Sequence, residues 1–263
     1  MKKFFVIGNP IEHSLSPKLH NYWIKSNNLK AVYDKKKLDM SELDNLIKEI
    51  REKKIDGINV TVPFKNSVIP FLDKLSNEAQ KTQSVNTIYL RDGMVIGHNT
   101  DIEGFELAIK HTNYDIDGKK VFILGAGGVS PSIILALNNM GAKKIFISNR
   151  TQSKAENLKK NFNEIETIKW GITPDFDMII NATSLGLKNN ENIILDYSKI
   201  SPEKFFYDVI YNPSETNFLK SAKKNGNKIE NGKKMFVFQA QASFKIWNNL
   251  EPEVDDKVME LLN

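Results

Sequence analysis

Several short groups of residues in this 263-residue chain carry side chains or backbone suited to chemistry, and they sit where apolar runs end. Gly125, Ala126, Gly127, Gly128 and Val129 follow directly on the wholly apolar run Val121 to Leu124. Gly125 permits a tight turn out of a strand, and Gly127 lets backbone approach a pyrophosphate. The helix that follows presents unpaired N–H groups and a positive dipole end to phosphates. Position 130, the third of the usual fingerprint, is Ser rather than Gly or Ala. After the next apolar run, Ile145 to Ile147, stand Asn149, Arg150 and Thr151. A unit that binds an unphosphorylated ribose carries Asp or Glu there. A guanidinium in that place suits a 2′-phosphate instead. Arg51, Arg91 and Arg150 are the arginines of a chain otherwise dominated by Lys, so one of them falls where a planar phosphate fork is useful.

Three polar clusters lie outside that region. In Asn59-Val60-Thr61-Val62-Pro63-Phe64-Lys65 the alternation turns Asn59 and Thr61 to one side and buries Val60 and Val62 on the other. Lys65 follows the stop at Pro63, where a strand-to-helix loop meets a crevice. Val85-Asn86-Thr87 and Asn99-Thr100-Asp101 are the other two. Spacing does not show that the three converge, and for each polar residue alone a loop cap or Asx-turn is an equally good reading.

The elements that must position these residues follow from periodicity. Val121 to Leu124, a helix marked by Ile133, Ile134, Leu137 and Met140 and ended by Gly141, and Ile145 to Ile147 make a β-α-β unit. Ahead of it the pattern predicts a strand over 3–8, a helix with Pro17 in its first turn and Ser16 as N-cap, a strand over 31–33 and a helix over 38–50. A strand over 56–62, helical pieces near 65–72 and 76–82, and a hairpin of 87–90 with 94–96 about Asp92-Gly93 come next. Behind it come a helix over 152–162, strands near 165–169, 178–181, 205–209 and 227–229, and helices over 216–224, 235–246 and 252–262. His20 and His111 read as helix-surface residues. The fold class is therefore α/β, with one α/β block on each side of residue 102.

Composition bounds the rest. The net charge is +5, but the lysines are spread, and Lys35-Lys36-Lys37 and Lys53-Lys54 are short runs without interleaved aromatics. They read as solvated faces rather than a nucleic-acid footprint. The chain has no cysteine, which excludes disulfides, thiolate zinc sites and a thiol nucleophile and suits a reducing cytoplasm. Four histidines without a close pair offer no metal site. Phe4 to Ile7 is too short for a signal peptide, and no stretch approaches a membrane span.

Taken together, Gly8-Asn9-Pro10-Ile11-Glu12-His13-Ser14-Leu15-Ser16-Pro17, Asn59 to Lys65, Val85-Asn86-Thr87, Asn99-Thr100-Asp101, Gly125 to Gly128, Asn149-Arg150-Thr151, Asn181-Ala182-Thr183-Ser184, and Gly232 through Met235 to Gln239-Ala240 resemble the shikimate dehydrogenase family. The motifs stand in the family's order over almost the whole chain. The resemblance implies two α/β domains with a cleft between them: a substrate domain of residues 1–102 plus 240–263, and a Rossmann-like NADP domain of residues 103–239. It implies NADPH-dependent, reversible reduction of 3-dehydroshikimate to shikimate in aromatic amino-acid biosynthesis. Lys65 and Asp101 match the family's catalytic pair. Ser14, Ser16, Thr61, Asn86, Tyr211 and Gln239 match its substrate positions, beside Lys65 and Asp101 themselves. Gly125 to Val129 match the phosphate loop, and Asn149, Arg150, Thr151, Gln152, Ser153 and Lys154 the 2′-phosphate region. Val209 and Gly232 match further cofactor contacts. The implied partner is a small-molecule substrate, with no nucleic acid and no membrane; a cytoplasmic enzyme and a homodimer are compatible with this.

The chain departs from the family's pattern in places. Gln83-Ser84 precede Val85-Asn86-Thr87 where Gly-Ala is usual, and are expected to crowd or re-aim Asn86. His98 stands where Asp often precedes Asn-Thr-Asp, as a solvated loop histidine or a pH-dependent neighbour of Asp101. A relative preferring quinate or NAD, and a non-catalytic NADP sensor, are the alternative readings. Ser14, Ser16 and Arg150 argue against the first; the intact Lys65 and Asp101 argue against the second.

Overall fold

The computed structural model describes residues 1–188 and 191–262. The chain divides into two units, Met1–Gly104 with Val237–Asn263, and Phe105–Phe236. Gln239, placed by the sequence at the end of the nucleotide domain, thus belongs to the first unit. Asn263, assigned to the substrate domain, lies outside the described residues, as do residues 189 and 190 of the nucleotide domain.

The first unit contains β1 (Lys2–Gly8), α1 (Ser16–Ser26), β2 (Ala31–Lys37), α2 (Leu43–Arg51), β3 (Gly57–Val60), β4 (Lys74–Leu75), α3 (Asn77–Thr82), β5 (Thr87–Arg91) and β6 (Met94–His98); α4 (Asp101–Lys110) begins at its edge. The sheet order is β2-β1-β3-β5-β6-β4. β1 is parallel to both its neighbours, whereas β5 is antiparallel to β3 and to β6. Leu43, Leu46, Ile47 and Ile50 recur at helical spacing on α2, and all are buried with Ile58, Val60 and Phe64 in one apolar cluster. The strand register decides where the polar clusters go. Asn59 on β3 pairs with Thr87 on β5, and Thr87 pairs with His98 on β6. The ends of β3 and β6 and the start of β5 therefore meet at one end of the sheet, and Lys65, Asn86 and Asp101 all stand just outside it.

The second unit contains β7 (Lys120–Leu124), α5 (Ser130–Asn139), β8 (Lys144–Ser148), α6 (Gln152–Asn161), β9 (Ile165–Ile168), β10 (Met178–Asn181), β11 (Phe205–Asp208), α7 (Asn217–Lys224) and β12 (Lys228–Asn231). The order β12-β11-β10-β7-β8-β9 is parallel throughout. Every residue of β10 and β11 is buried, as expected for strands covered on both faces. The chain leaves β7 towards one edge and returns at β10 towards the other. This is the strand order of a dinucleotide-binding sheet, with its switch point between β7 and β10. Leu124 pairs with Ser148 on one side and Asn181 on the other, and Asn181 pairs with Asp208, so the carboxyl ends of these strands are level. The long helix α8 (Lys233–Asn248) and α9 (Asp256–Leu261) complete the chain.

Local details differ from the periodicity. The expected helix near 65–72 is a single 3₁₀ turn, Ile69–Phe71, before β4. The last helix starts only at Asp256, because Asp255 caps it by accepting from Val258 N–H. Ser16 does not cap α1: Leu15 is the N-cap, Ser16 lies inside the helix, and the Ser14 hydroxyl accepts from Ser16 N–H at 3.3 Å. His20 is not on a helix surface. It is 1 % exposed, and its ring stacks on Tyr33 with centroids 4.1 Å apart. Trp23, Phe244 and Trp247 complete the cage, and neither ring nitrogen has a hydrogen-bond partner. Burial holds the imidazole neutral, down to about 3.

Candidate active site

In the first unit the three polar clusters converge on one carboxylate. Lys65 Nζ lies 2.5 Å from Asp101 Oδ2, and Asn86 Nδ2 donates to Asp101 Oδ1 at 2.8 Å. Lys65 is anchored by its backbone, whose carbonyl accepts from Val85 N–H at 2.9 Å. Asp101 is the first residue of α4, where the helix dipole favours negative charge. Asn99 is buried; its Oδ1 accepts from Asp101 N–H, and its Nδ2 donates to Thr82 Oγ1 and the Ser84 carbonyl. It therefore shapes the turn rather than facing a ligand.

Asn86 is held in one sense. Its Oδ1 accepts from Thr100 N–H at 2.8 Å, and the Thr87 hydroxyl reaches the same oxygen at 3.0 Å. A backbone N–H can only donate, so the Asn86 amide must turn its NH₂ to Asp101. Gln239 Oε1, one arm of α8, lies 3.3 Å from the same nitrogen. Lys65 and Asp101 are nearly closed off, with side chains 12 % and 8 % exposed. At such burial the pair is strengthened by the scarcity of water, and both carboxylate oxygens are satisfied by donors.

Tyr33 and Ser243, which the sequence did not single out, extend this cluster. The buried Tyr33 phenol donates to Asn59 Oδ1 at 2.7 Å. Asn59 Nδ2 lies near the Asn86 carbonyl at 3.1 Å and Ser243 Oγ at 2.9 Å. Ser243 Oγ meets Thr87 Oγ1 at 2.8 Å and bonds the Gln239 carbonyl at 3.0 Å. One signal for Ser243 was present: it follows Gln239 by four residues on a helix and so shares its face. Tyr33 had none, since its role comes from a strand pairing. Thr61 is half-buried beside the end of β1, where a side chain at Gly8 would stand 2.7 Å from Thr61 Cγ2.

Of the departures, Ser84 is buried and its carbonyl accepts from Asn99 Nδ2, while Gln83 and His98 engage residues outside the Lys65–Asp101 pair. Gln83 adopts the left-handed conformation that ends α3 (φ 49°), and its side-chain amide donates to the Gln80 carbonyl at 2.8 Å. His98 is neither a solvated loop residue nor a neighbour of Asp101: it ends β6, and its Nδ1 lies 3.7 Å from Glu78 Oε2. Burial lowers its imidazole and Glu78 opposes that shift.

The second unit carries the glycine-rich turn at the switch point. Gly125 has φ +110°, and a side chain there would stand 2.8 Å from the Ala182 carbonyl, so only glycine fits. Gly127 is exposed, and a side chain there would meet only the Ala182 carbonyl, at 3.9 Å. Ser130 turns out to be the stitch of the loop: its hydroxyl accepts from Gly127 N–H at 3.2 Å and donates to the Gly125 carbonyl at 2.9 Å. Asn149 is a second stitch, accepting from Ala126 N–H at 3.0 Å and donating to the Thr151 carbonyl at 2.8 Å. Arg150, Gln152, Ser153 and Lys154 are exposed around the N-terminus of α6, where Thr151 is the N-cap. Two cations at an exposed helix N-terminus form a fitting anion site. Val209 and Gly232 touch so closely that a side chain at Gly232 would collide with the Val209 carbonyl. Tyr211 lies in this unit, stacked on Phe236 with centroids 4.6 Å apart, and burial pushes its phenol up to about 12. The residues present thus fit a phosphorylated dinucleotide. Among the described residues no cluster of His, Asp and Glu could hold a metal ion, and no helix is long and apolar enough to cross a membrane.

Two family models match the chain. The shikimate dehydrogenase substrate-binding domain covers residues 6–88, and the shikimate / quinate 5-dehydrogenase model covers residues 106–201. The shikimate dehydrogenase (NADP(+)) of Pelagibacter ubique strain HTCC1062 is 61% identical over 262 residues, covering 100% of this chain and 99% of the relative. That of Staphylococcus epidermidis strain RP62A is 39% identical, over 96% of this chain and 94% of the relative. Among solved structures, a shikimate dehydrogenase in complex with NADP+ superposes with a TM-score of 0.92 at 35% identity, covering 100% of this chain and 94% of that one. The Thermus thermophilus enzyme in complex with NADP(H) and shikimate gives 0.90 at 31% identity, covering 100% and 98%.

Proposed function

The chain belongs to the shikimate dehydrogenase family, and on that premise we propose that it catalyses the reversible, NADPH-dependent reduction of 3-dehydroshikimate to shikimate with Lys65 and Asp101 as its catalytic pair. The observation that carries the residue assignment is the Lys65–Asp101 contact, fixed from both sides by backbone and by Asn86. The cofactor, when bound, supplies the hydride that adds to the carbonyl carbon. The chain's residues must then manage the oxygen. An ammonium has three donors, and Asp101 takes one. Another can bond the carbonyl oxygen, stabilise the charge that grows there and deliver a proton. Asp101 holds the ammonium in place and can accept from a substrate hydroxyl. Ser14, Ser16, Thr61, Asn86, Tyr211 and Gln239 bind and orient the substrate in this reading, with the two serine hydroxyls on its carboxylate. Gly125 to Val129 hold the pyrophosphate, residues 149–154 the 2′-phosphate, and Val209 and Gly232 the remainder of the cofactor.

A substrate and cofactor matrix tests this: shikimate or quinate, each with NADP or NAD, followed by nicotinamide absorbance. Shikimate with NADP is expected to give the highest kcat/KM; activity with quinate or NAD alone would overturn the specificity. Cytoplasmic action and a homodimeric state belong to the same proposal, tested by cell fractionation and by light scattering.

A further inference from the structure

We propose that Asp208 is a positioning residue for the cofactor: its carboxylate ties together the two backbone segments that follow β10 and β11 and so shapes the wall beside the phosphate loop. This rests on the functional reading above. Asp208 Oδ1 accepts from Asn181 Nδ2 and from Ile210 N–H, both at 3.0 Å, and Oδ2 accepts from the Thr216 hydroxyl at 2.6 Å. Asn181 passes the tie onward, its Oδ1 accepting from Thr183 N–H at 3.0 Å and the Thr183 hydroxyl at 2.7 Å. Thr183 then meets the phosphate loop, since a side chain at Gly125 would stand 2.9 Å from its Cγ2. On the other flank Ile210 accepts from Gly232 N–H at 3.2 Å, and Val209 lies between Asp208 and Ile210. One carboxylate thus sets both the segment abutting Gly125 and the segment abutting Gly232.

The choice of a charged residue needs a reason. Asp208 is fully buried, and among the described residues no Lys, Arg or His pairs with it. Burial pushes its carboxyl up to about 6 in spite of the three hydrogen bonds. The titratable groups facing it are the phenols of Tyr207 on its own strand and Tyr197, both raised by burial and neutral in this range; Glu230 on β12 lies against Tyr207. An unpaired buried charge opposes folding. What the carboxylate offers over an amide is two accepting oxygens. An Asn in its place can accept from Asn181 and Ile210 but must turn its NH₂ on Thr216, forcing that hydroxyl to reverse and loosening 210–216.

The test is a fluorescence titration of NADPH into wild-type protein, Asp208→Asn and Asp208→Ala, with the melting temperature of each measured at mildly alkaline pH. Asp208→Asn is expected to bind NADPH about tenfold more weakly while melting no lower than wild type, and Asp208→Ala to bind more weakly still. Wild-type affinity in a folded Asp208→Asn would overturn the proposal. So would affinity and melting temperature falling together in Asp208→Asn, which is the signature of a structural role. A second measurement needs no variant. NADH lacks the 2′-phosphate that titrates in the same range, and should bind wild-type protein more weakly as pH falls through about 6; a flat affinity there would also overturn it. Wild-type protein that bound neither nucleotide would instead overturn the functional reading, and this inference with it.

Discussion

Asn86 presents its NH₂, and never its oxygen, to Asp101, because Thr100 N–H occupies that oxygen at 2.8 Å. Asp101 is thereby kept as an acceptor on Oδ1 while Lys65 occupies Oδ2. Replacing Asn86 with Ala removes one donor to a buried carboxylate, a charge-assisted hydrogen bond of about 1.5–3 kcal/mol. We expect kcat/KM for shikimate to fall by roughly one to two decades, with NADPH affinity unchanged by fluorescence titration. Equal losses in both would show that Asn86 supports the fold and not the site.

Lys65→Met keeps the aliphatic stem and removes the ammonium. If the ammonium acts on the reacting oxygen, kcat should fall by about two to four decades while the fold and NADPH binding persist. Asp101→Asn should also lower kcat. Because the two act as a unit, the double variant should be little worse than the poorer single variant. Steady-state rates with circular dichroism as a folding control decide this; near-normal kcat in Lys65→Met would remove the lysine from the chemistry.

Arg150→Asp places an acid where the ribose-binding acid of an NAD unit stands. NADP affinity should drop by about one to two decades, the worth of a charged hydrogen bond, and NAD should gain relative to it. Competitive titration of the two nucleotides measures the ratio. Unchanged NADP affinity would move the phosphate contact to Lys154.

His20 makes the fold sensitive to acid. Its imidazole is held down to about 3 by burial, whereas the unfolded chain takes up the proton near the ordinary value of 6.5. Between those values the unfolded state binds more protons, so this contribution is present above 6.5 and is lost as pH falls through the window. At about 1.4 kcal/mol per pH unit, the loss approaches roughly 3 kcal/mol by pH ~4. His20→Phe keeps a ring against Tyr33 and should shift the midpoint of acid unfolding downward. An unchanged midpoint would locate the acid-sensitive group elsewhere.

The sequence carries the strands and the glycine turn because their signals are local: apolar runs, a helix start and glycine geometry. It also marks Lys65, Asn86 and Asp101 as loop polars, but their convergence depends on the Asn59–Thr87–His98 register, a pairing across hydrogen-bonded strands that spacing does not encode. Tyr33 and Ser243 escape for the same reason: Ser243 reaches Asn59 over 184 residues. His20 is misplaced because a polar residue type argues for the surface, while ring stacking inside an aromatic cage overrides it. Ser16 is misplaced by one residue, the ordinary uncertainty of a helix end.

The return of α8 to the first unit has a consequence for how the protein is made. The second unit is one unbroken stretch of chain, Phe105–Phe236, whereas the first waits for Val237 onward. As a ribosome delivers the polypeptide from its N-terminus, β1 and β3 are synthesised long before Trp247, whose ring stacks on Phe4 at 4.9 Å and whose indole N–H bonds the Ile88 carbonyl at 3.2 Å. Gln239 and Ser243 arrive equally late. The nascent N-terminal half therefore stays open along that face while the nucleotide-binding half can already fold. Competence to turn over substrate is gained only after α8 has been synthesised.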